Sequence, residues 1–150
     1  IIIDKVYEFE VENFEFGNIP REELISNFKD GRCCSWFMEP QITYWFPELK
    51  RVHGNKDHDH IDANGVKYDA KNFTKNGLRF CPSNQLGANR SFNEEVAHEK
   101  AKKLIFICCD IVDFPRVRVK FAKGADLIVS HPKCHIKRKE REEFFNDQSC

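Results

Sequence analysis

Apolar and polar positions alternate loosely over residues 2 to 16, where Val6, Phe9, Val11, Phe14 and Phe16 are separated by glutamates. This pattern predicts a strand or strand pair at a sheet edge, with the acids discouraging further pairing. Asn18-Ile19-Pro20-Arg21-Glu22-Glu23 has proline in a first turn with acids behind it, a helix start that would bury Leu24, Ile25 and Phe28 and stop near Gly31. A second helix is expected between Cys34 and Leu49, with Phe37, Ile42, Trp45 and Phe46 inward and Pro40 in a first turn or at a kink. From Asp57 to Thr74 the period becomes two: His58 to Asp62 and Val66 to Phe73 alternate on either side of Ala63-Asn64-Gly65, a hairpin signature. Thr74 to Phe92 holds two glycines, a proline and many amide or hydroxyl side chains, so a long loop, or a loop with one short helix, is predicted. Asn93 to Lys102 follows as a capped helix, and Lys103 to Val112 (KLIFICCDIV) as a buried central strand. After a turn at Asp113-Phe114-Pro115, Val117, Val119 and Phe121 form its partner. Residues 123 to 126 are expected to turn, Leu127 to Val129 to form a short apolar element, Glu140 to Phe145 to close the chain as a helix, and Asn146 to Cys150 to fray. The order predicts an α/β domain, a mixed β-sheet flanked by helices.

Composition narrows the class. With 150 residues, 41% hydrophobic and 32% charged, the chain is expected to be one soluble globular domain. Its apolar runs fall short of the ~20 residues a membrane span requires, and Ile1-Ile2-Ile3 is interrupted at once by Asp4 and Lys5, unlike a signal peptide. A cytoplasmic protein is expected. Seven cysteines without CxxC spacing fit free thiols in a reducing compartment. His131, Cys134 and His135 have spacing that could supply zinc ligands, but no second pair completes four, so a zinc-binding structural protein is a rival reading. Net charge is zero yet unevenly spread: eight acids and three bases occupy residues 1 to 30, leaving 21 bases against 16 acids beyond them. Bases and polar donors gather at Lys71 to Arg90 and again at Lys133 to Arg141 as patches that can bind phosphate, the second being alternatively a solvated helix face.

The hairpin carries the chemistry. Asp69 and Lys71 are two apart, so on a strand they leave the same face, while Tyr68 and Ala70 leave the other. Asp59, ten residues before Asp69, can sit across from that pair on the returning strand. Asp62 is three residues from Asp59, faces away from it on a straight strand and abuts the turn, where aspartate commonly caps its own backbone. Two carboxylates in close approach repel unless a cation lies between them, and hard oxygen ligands suit magnesium. A lysine beside that metal can hold a water, which completes the equipment for metal-assisted phosphodiester hydrolysis.

Asp59-His60-Ile61-Asp62, Gly65 and Lys67-Tyr68-Asp69-Ala70-Lys71 resemble the core motif of the PD-(D/E)XK nucleases, a superfamily that includes many type II restriction endonucleases. An aspartate stands where glutamate is commoner, and His58 stands where a proline often precedes the first acid. The resemblance implies a restriction endonuclease-like core and a magnesium-dependent DNA endonuclease, with Asp59, Asp69 and the Ala70 carbonyl on the metal and Lys71 at the attacking water. It also places Glu39, on the preceding helix, as a further active-site acid; an ordinary exposed helix acid is the alternative. Cutting both strands of duplex DNA would call for a homodimer.

The long loop supplies candidate DNA contacts. Arginine and side-chain amides read base edges, while lysine and serine hold phosphates. Lys75, Arg79, Ser83, Asn84, Gln85, Asn89 and Arg90 are therefore expected at DNA, against the alternative of a plain surface loop. Asp110, ending the central strand, is either a structural acid or an additional site residue. Site-specific restriction, homing, repair or junction cleavage, and non-catalytic nucleic-acid binding remain open on the sequence.

Overall fold

The computed structural model describes residues 1–54 and 58–146. Asp57, where the predicted hairpin begins, and the expected fraying of residues 147–150 lie outside the described residues. In chain order the elements are β1 (Val6–Glu10), α1 (Arg21–Phe28), α2 (Gly31–Trp45), β2 (Lys50–Arg51), β3 (His60–Ile61), β4 (Lys67–Phe73), β5 (Leu78–Arg79), α3 (Glu94–Ala101), β6 (Ile105–Asp110), β7 (Arg116–Lys123), α4 (Gly124–Ser130), β8 (His135–Ile136) and α5 (Arg141–Phe144). Six strands form one mixed sheet in the order β1-β7-β6-β4-β3-β2, and β5 pairs with β8 in a two-stranded sheet. Helices flank the larger sheet, so the fold class is mixed α/β.

The continuous apolar run of β6 becomes a central strand because both its faces are covered. Ile107 and Cys109 join the core under α1 and α2, while Phe106 and Cys108 join the core under α3 and α4. Each fully buried side chain of this size contributes ~1.5–3 kcal/mol. β6 runs parallel to β4, with Asp69 beside Phe106 and Lys71 beside Cys108, and antiparallel to β7. The parallel pairing requires a crossover, which α3 provides. On the α1/α2 side, Phe14, Phe28 and Phe114 pack with centroids 4.9 to 5.7 Å apart.

Several elements depart from the pattern in the sequence. α1 ends at Phe28, near Gly31 as expected, but α2 begins at Gly31 and not Cys34, because Asp30 caps the new helix by accepting the Arg32 N–H at 2.9 Å. Pro40 consequently lies deep inside α2, although an interior proline costs about 3 kcal/mol locally; burial of Cys34, Met38 and Ile42 offsets it. Residues 123 to 126, expected to turn, instead lead into α4, which buries Leu127 and Ile128. Gly124 permits this approach, since a Cβ there would run into the Ala101 carbonyl. The predicted strand from His58 to Asp62 shortens to His60–Ile61, and β2, β5 and β8 arise from pairings too short to show periodicity. The 74–92 segment contains β5 and one 3-10 turn, Ser83–Gln85.

Asp110 ends β6 as a structural acid. It accepts from Arg118 at 2.8 and 3.0 Å and from Arg141 at 3.0 Å, while Arg141 also holds Asp113 at 2.7 Å. This network ties α5 to the sheet. Among the described residues no helix is long and apolar enough to cross a membrane.

Candidate active site

β4 sets the site because its alternation separates two chemistries. Ala70 and Asn72 face α2, where the Asn72 amide donates to Ser35 Oγ at 3.2 Å. Asp69 and Lys71 leave the opposite face, with Lys71 Nζ 3.2 Å from Asp69 Oδ2. Asp59 stands in a bend just before β3, its N–H donating to the Tyr68 carbonyl and its carbonyl accepting from Val52 N–H, both at 2.9 Å. Its carboxylate accepts the Ala70 N–H at 2.9 Å and comes within hydrogen-bonding reach of Asp69. Asp59, Asp69 and Lys71 are therefore brought together.

Asp69 is only 9% exposed. Burial raises its carboxyl pKa, Lys71 draws it down, and the Asp59 charge raises it again, to about 6. A carboxyl in that condition has too little positive charge around it. Asp62 has the opposite surroundings. Desolvation, the largest single influence, is outweighed by the combined donors from the Val66 N–H, the Tyr68 hydroxyl and the Asn64 N–H, at 2.9 to 3.0 Å, and its pKa falls below the ordinary value. It is a turn cap pointing away from the Asp59–Asp69 pair.

Glu39 lines the same hollow of ≈ 240 Å³ as Asp59, Asp69, Ala70 and Lys71. Its carboxylate is held by Arg51 at 2.9 Å, so it borders the acid pair while already engaged. Beneath it His60 is wholly buried, with Nε2 3.0 Å from the Glu39 carbonyl and Nδ1 without a partner in the structure. Burial lowers the His60 pKa, against the pull of the Glu39 carbonyl and carboxylate, so His60 is a neutral prop between β3 and α2. Lys100 of α3 and Ser35 of α2 also line the hollow, and neither was picked out in the sequence. The buried Ala97 and Ala101 fix the inner face of α3, and Lys100 borders that face; only the position of α3 over β4 reveals its destination.

A wider cleft of ≈ 730 Å³ shares Ser35, Ala70, Lys71 and Asn72 with this hollow and is otherwise bordered by Lys29, Arg32, Lys75, Arg79 and Gln85, among others. Among the described residues Asp30 is the one acid on its wall. Of the expected DNA contacts, Lys75, Arg79 and Gln85 thus line the cleft and Ser83 lines the acid hollow. Asn84, Asn89 and Arg90 are exposed but border neither, and Arg90 donates to the Ser83 carbonyl at 2.9 Å. Lys137, Arg138 and Lys139 lie exposed beyond β8.

His131, Cys134 and His135 do not converge. His131 bonds Glu140 at 2.6 Å, His135 approaches the Asn76 carbonyl at 3.3 Å, and Cys134 is wholly buried. The six described cysteines are free, and burial pushes the Cys34 and Cys108 thiols up to about 12. Among the described residues no three His, Cys, Asp or Glu side chains gather around one point as a metal site would require. The acid pair therefore offers two carboxylates, beside a main-chain carbonyl and a lysine. Comparison with protein-family models, curated proteins and solved structures yields no match for this chain.

Proposed function

We propose that this chain is a magnesium-dependent endodeoxyribonuclease of the restriction-endonuclease-like type, as its motif resemblance implies. The observation that carries the reading is the placement of Asp59 against a buried Asp69 with a raised pKa, at the edge of a cleft bordered by Lys29, Arg32, Lys75 and Arg79. The residues fit a hard divalent cation. Both carboxylates are oxygen donors, buried Asp69 is short of positive charge, and strand geometry turns the Ala70 carbonyl to the same open side as its N–H, toward Asp59. Asp59, Asp69 and the Ala70 carbonyl would hold Mg²⁺, which when bound supplies positive charge to the phosphate oxygens and the leaving group.

The chain's own groups do the remaining work. Lys71 Nζ positions the attacking water beside Asp69, and the Lys75 and Arg79 cations hold flanking phosphates in the cleft. Asp69 must lose its proton to serve, so metal affinity rises as pH passes upward through about 6. Duplex DNA is the proposed substrate, cut in both strands by a homodimer. Site-specific restriction is the first biological reading, and homing, repair or junction cleavage use the same chemistry.

Incubation with plasmid DNA tests this. Relaxation or linearisation in magnesium is expected, with none in excess chelator. Lys71→Ala is expected to lose cleavage while keeping calcium-supported binding. Full cutting in chelator refutes the metal reading, and binding without any metal-dependent cutting points to a non-catalytic DNA-binding domain.

A further inference from the structure

A tryptophan exposed over 83% of its surface, Trp36, stands on the outward side of α2, the helix whose Arg32 and Ser35 border the cleft. Burying an indole is strongly favourable, so one left in water beside a functional hollow marks a contact surface. Helical spacing fixes its neighbours. Arg32, one turn earlier, borders the basic cleft, and Glu39, one turn later, borders the acid hollow. Adjacent Ser35 borders both. Trp36 therefore shares one stretch of α2 with residues that border both hollows, while lining neither itself.

We propose that Trp36 is a stacking platform for an unpaired nucleobase of a DNA strand whose phosphates follow the cleft. The inference rests on the nuclease reading and deepens it by naming the substrate form. Charge decides the occupant: among the described residues the wall holds one acid, Asp30, which pairs with Arg32 at 3.1 Å, and Lys29, Lys75 and Arg79 remain in excess, so a polyanion is favoured over a second copy of a chain with zero net charge. An aromatic face beside a basic groove is the arrangement that holds single-stranded nucleic acid, because every base presents a π-face whatever its sequence. Bases inside an intact duplex are already stacked and offer Trp36 no face. The site thus favours duplex DNA that carries a flap, a junction arm or a base displaced from the helix.

The chain makes the test direct. It contains two tryptophans, and Trp45 is stacked on Phe9 at 4.4 Å, so fluorescence quenching by a bound base reports Trp36. Protein in excess chelator is titrated with an oligothymidylate of about a dozen nucleotides and with a blunt duplex of equal length, affinity being followed separately by anisotropy of a labelled strand. Oligothymidylate should quench the emission, and Trp36→Ala should weaken its binding about tenfold, with Trp36→Phe intermediate and duplex binding little changed. Because the side chain is exposed, circular dichroism of both variants should match wild type. Oligothymidylate binding without quenching, equal loss of both ligands in Trp36→Ala, or a wild-type dimer that Trp36→Ala dissociates in sedimentation would each overturn the stacking role. Lys75→Ala with Arg79→Ala separates the two readings. Duplex binding that needs these bases but not Trp36 leaves the nuclease standing and removes only this inference.

Discussion

Replacing Asp69 with asparagine should make the protein more stable, and only above a defined pH. The ordinary carboxyl value of 3.8 rises to about 6 in the folded chain, first through burial and then through the Asp59 charge, with Lys71 pulling the other way. Between those values the folded chain binds more protons than the unfolded one, so stability falls as pH rises through the window, and the whole cost is present above about pH 6. Roughly two pKa units at ~1.4 kcal/mol each put that cost at about 3 kcal/mol. Asparagine keeps the shape and has no proton to lose. In chelator at about pH 7.5, Asp69→Asn should therefore unfold in urea with ΔG raised by about 2–3 kcal/mol and an unchanged m-value. The advantage should shrink through about pH 5 and vanish near pH 4. Magnesium should stabilise wild type and not the variant, narrowing the gap at neutral pH. An Asp69→Asn protein no more stable than wild type at pH 7.5, or an advantage that persists at pH 4, would refute a carboxylate held at a cost by burial and the Asp59 charge.

The remaining predictions concern neighbouring residues. Asp59→Asn should abolish plasmid cleavage, whereas Asp62→Asn should retain substantial activity and lower Tm slightly, because Asp62 only accepts from Asn64, Val66 and Tyr68; the reverse result would move the site to the nearer acid. Lys75→Ala with Arg79→Ala should reduce the slope of log affinity against log salt by about one to two, and an unchanged slope would take the cleft out of the DNA path. Gly77→Ala should lose about 2 kcal/mol or more in denaturant melts, since φ is +81° and the new Cβ would run into the Ile136 carbonyl. A neutral Gly77→Ala would mean that the contact between β5 and β8 is loose.

What could be read from the chain was what local spacing controls. The two-residue interval between Asp69 and Lys71 fixes a shared face on any strand, and the apolar run of β6 requires cover on both sides, so both were legible. Asp62 was legible for the same reason, since its hydrogen bonds close within its own turn. The end of α1 near Gly31 was legible, but the start of α2 was not, because glycine marks helix ends by default and only the Asp30 carboxylate turns it into a beginning as well. β2 and β5 hold two residues each, too few to carry a period. Lys100, Arg51 and Trp36 acquire meaning only when α2 and α3 are laid against β4, a long-range fact that no window of sequence contains.

β3 offers two residues to a β4 of seven, pairing only with Tyr68 and Lys67, so among the described residues the Ala70 backbone has no strand partner on that side. In the proposed reading this gap is where the main chain becomes a functional group: the Ala70 N–H anchors Asp59 and its carbonyl faces the cation. Such a contribution is invisible to genetics. Exchanging the Ala70 side chain alters its packing toward α2 and leaves both backbone groups in place, so a mutational scan would return Asp59, Asp69 and Lys71 and pass over the residue between them. Its part is exposed only by editing the backbone itself: an amide-to-ester exchange at Ala70 removes the N–H that orients the first acid without disturbing a single side chain.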